Sequence, residues 1–363
     1  MPFGIIDTTY VDLPVGIDET YLTGLQTRSG LSVAEMVQRV DAAMAAVNEG
    51  ADPLVAALSY RTTSVTAGDR ITATKRVMRA GEYVYSNPQY VARTAHMLPI
   101  DKFDISLGFT EDGLHKISMQ GFQDELDTMV DAWYRLFQAE ALNRLFNNSE
   151  VPVDEGTSVV SPGFAGSGTG NNVFGGVYPD GSPIAGGYTR YGFGTTDASI
   201  ITWLNAQIAE MGKWAPPPYD LIASSAGIAA LQAAAITAGT PIILAGSALI
   251  RLPDSSAEAL VDANTYMGVY GGAVRIRQGA LGFGDNHFAL VKTYGAFDAR
   301  NPLAWRYDPT QPDVYVRSRE DFPLADAVAM DWMGFGVGNR VGASLFYRNA
   351  GAVAYVNPTI TIV

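Results

Sequence analysis

Apolar residues recur every three or four positions in three stretches of the chain, and each stretch predicts a helix. Val33, Met36, Val37, Val40, Met44 and Val47 mark the first. Ser32 and Glu35 open it as a capping box, hydroxyl and carboxylate each serving a free backbone N–H, and Gly50 closes it. Phe122, Leu126, Met129, Trp133, Phe137, Ala141 and Leu145 define one face of a second helix, from about Ser118 to Asn147. At about 1.5 Å per residue that helix spans roughly 45 Å, more than a compact domain of this size needs. Ile200, Ile201, Leu204, Ile208 and Met211 mark the third, which starts near Asp197 and stops at Gly212.

Between these helices the pattern changes to strand formers. Thr62, Thr63, Val65, Thr66, Ile71, Thr72, Thr74 and Val77, then Tyr83, Val84 and Tyr85 after Gly81, predict a long two-stranded hairpin of weak apolar content. Such a hairpin is marginal in water unless another surface covers it. Pro216, Pro217 and Pro218 force extended chain into a strand at Tyr219–Ser224. The thirty residues Leu221–Ile250 carry no formal charge and are long enough to span a bilayer. Gly227, Gly239, Pro241 and Gly246 interrupt them, and Ser224, Ser225, Gln232, Thr237 and Thr240 add polar groups, so they read as a buried strand, a helix and a second strand. Further strands are expected near Gly271–Gln278, His287–Thr293 and Pro312–Arg317, with a β-rich end from Val341 to Tyr355. Residues 149–194 form a Gly-rich insertion of loops and short hairpins. Helices and strands do not alternate regularly enough for a doubly wound sheet, and the fold class is α+β.

The 363 residues suggest about two domains. A net charge of −13 argues against broad electrostatic wrapping of nucleic acid. Charge is also unevenly placed. The hairpin carries Arg61, Arg70, Lys75, Arg76, Arg79 and Arg93 against Asp69 and Glu82, a net of +4. Between Asp101 and Asp131 eight acids, among them Asp124, Glu125, Asp127 and Asp131, face two lysines, a net of −6. The first residues, Met1 to Asp7, lack the basic start and apolar stretch of a secretory signal, so cytoplasmic synthesis is expected.

Catalytic chemistry finds little to stand on. With no cysteine, disulfides, thiol nucleophiles and Cys-based zinc sites are excluded. The three histidines, His96, His115 and His287, are too far apart to form a helical ligand pair. Gly212-Lys213 is followed by Trp214 and not by the Ser or Thr of a phosphate loop. Gly166, Gly168 and Gly170 imitate a dinucleotide loop without the strand before it or the helix after it. No Gly-x-Ser-x-Gly and no Ser-x-x-Lys occurs. Asp285-Asn286-His287 reads as a polar turn before a strand that is also able to orient an imidazole. Asp124 with Asp127, or Asp326 with Asp331, are nominal carboxylate pairs for glycoside chemistry, otherwise solvated acidic faces.

The order of elements resembles the major capsid protein of tailed bacteriophages, the Hong Kong 97-like fold. Tyr60–Arg93 resembles its extended loop and Ser118–Asn147 its spine helix. Ala198–Gly212 followed by Pro217 to Ala226 resembles the helix, strand and Ser/Ala turn of its axial domain, and Arg340–Val353 its closing strand pair. The resemblance implies an N-terminal arm at 1–59 with a helix at 33–48, and an extended hairpin loop at 60–95. It further implies a peripheral domain at 96–195 holding the spine helix and the insertion, an axial domain at 196–340, and strands at 341–363 returning to the peripheral domain. It implies a structural shell protein, without enzymatic activity, cofactor or metal, that self-assembles as hexamers and pentamers into an icosahedral or prolate head around DNA. The expected partners are identical subunits, a portal, a separate scaffolding protein and a decoration protein, with no membrane. The expected location is the virion, after assembly in the host cytoplasm. Arg61, Arg70, Lys75, Arg76 and Arg79 are the candidate contacts on one subunit, and Asp124, Glu125, Asp127 and Asp131 those on its neighbour. A hairpin and an arm without cores of their own are expected where a neighbouring copy supplies the missing surface. Lys75 and Asn357 are the nominal pair for the covalent cross-link that some members make. The competing readings are an encapsulin-like nanocompartment shell and a carboxylate-pair glycoside hydrolase.

Overall fold

The computed structural model describes residues 30–49, 52–70, 93–109, 113, 116–147, 151–152, 160–161, 191–212, 216–239, 243–244, 266–278, 284, 286–310, 313–318, 327–339, 342–351 and 354–360. In chain order the helices are α1 (Val33–Glu49), α2 (Pro53–Leu58), α3 (Met119–Phe146), α4 (Asp197–Met211) and α5 (Ser225–Thr237). The strands are β1 (Ser59–Thr62), β2 (Thr66–Arg70), β3 (Arg93–Met97), β4 (Asp101–Leu107), β5 (Val151–Pro152), β6 (Val160–Ser161), β7 (Tyr191–Gly194) and β8 (Tyr219–Ala223). They continue as β9 (Ile243–Leu244), β10 (Tyr266–Tyr270), β11 (Val274–Gln278), β12 (His287–Val291), β13 (Leu303–Tyr307), β14 (Tyr315–Ser318), β15 (Ala327–Val337) and β16 (Ala343–Arg348). No helix among the described residues is long and apolar enough to cross a membrane.

The chain forms two compact units, each discontinuous in sequence. One gathers residues 1–52, 100–137 and 307–333, the other 53–99, 138–306 and 334–363, and both α3 and β15 run from one unit into the other. In the first unit the capping box forms as expected. The Ser32 backbone N–H donates to Glu35 Oε2 at 2.9 Å, and the Glu35 N–H reaches back to Ser32 Oγ at 3.4 Å. The Ser32 backbone bond is the main cause holding the Glu35 carboxyl below its ordinary pKa. Helix α1 buries Met36, Val40, Met44 and Val47, while α3 buries Phe122, Leu126, Met129, Trp133 and Phe137. Two hydrogen bonds tie the helices: Arg39 Nη1 donates to Gln123 Oε1 at 3.1 Å, and Tyr134 Oη to the Ala46 carbonyl at 3.1 Å. The helix of the expected arm therefore lies along the spine helix of its own chain. Its apolar stripe is buried within its own chain. Asn48 extends the attachment, its side-chain amide bonding both the carbonyl and the N–H of Val314. Beside this pair, β15 runs antiparallel to β4 from Ala327–Leu107 to Met333–Asp101, and β14 pairs with it from Tyr315–Met330 to Ser318–Ala327.

The second unit is built on a seven-stranded mixed sheet of order β7-β16-β12-β8-β11-β10-β9. Alternation along its strands separates two faces. Tyr219, Leu221 and Ala223 of β8, Val274 and Ile276 of β11, Phe288 and Leu290 of β12 and Phe346 of β16 form one core with Ile200, Trp203 and Leu204 of α4 and Ile228 and Leu231 of α5. Trp203 stacks on Phe346 with centroids 5.1 Å apart. Gly192 of β7 lies against that pair, where a Cβ would stand 2.9 Å from the Trp203 ring. Helix α5 is capped by Ser224, whose Oγ accepts from the Gly227 N–H at 3.1 Å. On the opposite face, Asp220 of β8 stands directly beside Arg275 of β11. Elsewhere in this unit β1 pairs in parallel with β13. Fully buried Asn301 anchors that region, its Nδ2 donating to the carbonyls of Ser59 at 3.0 Å and Gly295 at 2.8 Å.

Two expectations change. Tyr60, Arg61 and Thr62 belong to β1 and the parallel ladder with β13, so the described hairpin ladder starts at Thr66, pairing Thr66–Arg70 with Arg93–Met97. Residues 71–92 lie outside the described residues. At the C-terminal end, the described residues of Arg340–Val353 hold one strand and not a pair. That strand, β16, sits between β7 and β12 inside the seven-stranded sheet, because its alternating Leu345 and Phe346 fill both buried faces. Contact with the spine helix comes after it, where Tyr355 Oη donates to the Phe146 carbonyl at 3.0 Å.

Candidate functional site

The acids predicted to meet a neighbour all project from the exposed side of α3. Asp124, Glu125, Asp127 and Asp131 are solvent-exposed, opposite the buried face that Phe122, Leu126, Met129 and Trp133 occupy. Asp124 accepts from Gln120 Nε2 at 2.8 Å and Asp127 from Gln123 Nε2 at 2.9 Å, bonds between residues one helical turn apart. Among the described residues no ion pair holds any of the four. They form one acidic stripe available to a partner, and the nominal Asp124–Asp127 pair stands exposed on it. Asp331 is buried within β15, and Asp326 lies outside the described residues.

The basic partners are less completely placed. Arg61 is exposed on β1, with its guanidinium 5.1 Å over the Trp305 ring, a contact within its own chain that the sequence reading assigned to a neighbour. Arg70 ends β2, opposite Arg93 of β3. Lys75, Arg76 and Arg79 lie outside the described residues, and so does the Lys75 end of the nominal cross-link. Asn357 donates to Asn147 Oδ1 at 3.3 Å.

His287 is buried and held by a group the sequence did not indicate. Its Nε2 donates to the Val356 carbonyl at 2.8 Å, and the rings of Tyr347, Phe146 and Tyr355 enclose it at 4.8, 6.0 and 6.2 Å. Neighbouring Asn286 is used differently, accepting from Arg348 Nη2 at 3.1 Å. This box fastens the segment after β16 to the end of the spine helix. Burial lowers the His287 pKa below its ordinary 6.5, against the opposing pull of its Val356 and Gly284 backbone bonds. An unfolded chain would accept a proton near 6.5 that the folded one refuses. Stability is therefore complete above that value and falls as pH drops below it. The urea midpoint of wild type is expected to fall between about pH 7.5 and 5.5 by more than that of His287→Gln, whose amide keeps a donor for Val356 but cannot titrate. Equal falls would show that another group controls this pH range.

Among the described residues no group of three His, Asp or Glu is placed to hold a metal ion.

No family model and no curated protein matches the sequence. Solved structures do match. A chain of Mycobacterium phage Patience aligns over 95% of this chain and 97% of its own, with a TM-score of 0.61 and 18% identity. The capsid of Ralstonia phage GP4 aligns over 82% of this chain and 88% of its own at TM-score 0.44 and 12% identity. An encapsulin from Synechococcus elongatus aligns over 84% and 90% at TM-score 0.43 and 11% identity. The last two scores are too low to separate a phage head from a nanocompartment. The end-to-end likeness to the Patience chain agrees with the long spine helix, the seven-stranded sheet under two helices and the paired base of a loop. This chain has the Hong Kong 97-like fold of tailed-bacteriophage major capsid proteins.

Proposed function

We propose that this chain is the structural subunit of a phage head: it self-assembles as hexamers and pentamers into a closed icosahedral or prolate shell around double-stranded DNA and catalyses no reaction. The observation that carries this reading is the alignment of nearly the whole of both chains with a phage protein. The stripe of unpaired acids on α3 supports it, since a spine helix with one buried and one acidic face offers a complementary surface to a basic loop. In this reading the extended loop leaves its ladder at Thr66–Arg70 and returns through Arg93–Met97, with Arg70, Lys75, Arg76 and Arg79 lying over Asp124, Glu125, Asp127 and Asp131 of the next copy. The acidic net charge of −13 keeps the shell from gripping the DNA it must later release. A portal, a separate scaffolding protein and a decoration protein are the remaining partners. Assembly takes place in the host cytoplasm and the product is the virion shell.

Negative-stain microscopy and light scattering of the purified protein test this directly. Closed shells, or rings of five and six, are expected, with or without co-expressed scaffold. A strictly monomeric protein under every condition, scaffold included, would overturn the proposal.

A further inference from the structure

The polar cluster on the second face of the seven-stranded sheet carries more cationic hydrogen-bonding capacity than the chain satisfies. Asp220 sits at its centre. Its Oδ1 accepts from Arg277 Nε at 2.8 Å, and its Oδ2 from Arg275 Nη2 at 2.7 Å and from Thr293 Oγ1 at 2.8 Å. The side chains of Asp220, Arg275 and Arg277 are 3, 6 and 4% exposed. Lys292 approaches the same group, donating to the Pro218 carbonyl at 3.2 Å with its ammonium 5.4 Å from the Tyr294 ring. One carboxylate thus serves three cations in a place that water barely reaches.

The remaining donors are what point to a ligand. Arg275 Nε and Nη1 and Arg277 Nη2 are buried and find no acceptor among the described residues. A guanidinium cannot shed its proton to escape this cost, as a lysine does. A buried cation without counter-charge or acceptors is strongly disfavoured, and nine in ten buried polar groups are satisfied. These groups belong to neighbouring strands in a fixed register, so they are held in place with or without a ligand. We infer that Arg275, Arg277 and Lys292 form an internal binding site for a small oxoanion, inorganic phosphate or sulfate, lying beside Asp220. The planar donor edges of two arginines match the paired oxygens of such an ion. Because the three free donor atoms are covered by the chain itself, the site suits an ion enclosed on folding better than a side chain reaching in from another copy. The inference does not depend on shell assembly.

The test uses the full-length chain purified in a chloride buffer free of phosphate and sulfate. Melting temperature is followed as phosphate, sulfate or chloride is added at constant ionic strength. An ion that binds only the folded state raises the midpoint, by about 4 °C at a hundredfold excess over its Kd, and chloride leaves it unchanged. Comparing phosphate with sulfate identifies the preferred ion, and ion chromatography after acid denaturation detects any carried through purification. Arg277→Gln is expected to abolish the phosphate response, and Arg277→Lys to weaken it. Arg300→Gln, at an exposed position paired with Asp298, is expected to keep it. Should both Arg277 variants fail to fold, the wild-type titration and chromatography decide alone. No ion released and no anion-specific rise in wild type, or an undiminished response in folded Arg277→Gln, overturns the site.

Discussion

Asparagine in place of Asp220 is expected to destabilise the subunit by about 3–5 kcal/mol, the range for breaking a buried ion pair from one side. The acid lies at the junction of β8 and β11 and is the only carboxylate bonded to Arg275 and Arg277 among the described residues. Its loss leaves two guanidiniums inside the protein without a counter-charge, whereas an exposed pair such as Lys102–Asp104, 3.4 Å apart, contributes about 0–1 kcal/mol. Urea denaturation of unassembled protein should show a lower midpoint with an unchanged slope. The triple variant Asp220→Leu, Arg275→Met, Arg277→Met separates pairing from packing. Replacing the whole group by apolar side chains removes the desolvation cost with the attraction, so most of the lost stability is expected to return. A single variant as stable as wild type would mean that the arginines do not depend on this acid.

The features legible in the sequence were those set by local period. On α3 all seven residues read as one face are buried, because 28 consecutive helical residues repeat the signal often enough to fix its phase. The capping box at Ser32 and Glu35, the stop at Gly212 and the strand after the triproline are equally local, and each stands where its chemistry requires. Non-local pairing leaves no such trace. Nothing in Ser59–Thr62 announces a parallel partner at Leu303–Arg306, and its Thr-rich continuation drew it into the hairpin. The anchor for that pairing is Asn301, a single amide whose role exists only once Ser59 and Gly295 are brought to it. The buried charges left no clear sequence signal for a related reason. Val274-Arg275-Ile276-Arg277 alternates like a strand with one wet face. The signal against that reading was Asp220, one charge within the otherwise apolar Tyr219–Ala223. His287 was weighed as part of a polar turn, while its actual ring partners, Phe146, Tyr347 and Tyr355, come from three distant stretches of chain.

Reversing two charges in the loop, Arg76→Glu with Arg79→Glu, is expected to abolish closed shells while leaving the subunit folded. The reversal changes the net charge of residues 60–93 from +4 to 0, and in the proposed interface it would turn two attractions to the acidic stripe on α3 into repulsions. Each exposed pair contributes little, about 0–1 kcal/mol. The same contact recurs at every subunit of a shell, however, so a small loss per copy multiplies over the assembly and shifts the equilibrium to free subunits. Charge also fixes register more than affinity, so misaligned or open assemblies are the expected residue of the double variant. Circular dichroism and urea midpoints should match wild type, since the cores described for the two units are formed by other residues. Adding Asp124→Lys and Asp127→Lys to the same chain should restore shells, because the attraction is rebuilt with its sign exchanged. Asp101→Lys with Asp104→Lys, at exposed positions of β4, restores the same net charge away from α3 and should not rescue, which distinguishes a direct contact from general acidification of the surface. Shells of normal size and yield from the double variant would remove the loop from the proposed interface and leave apolar burial along the spine helix to hold the copies together.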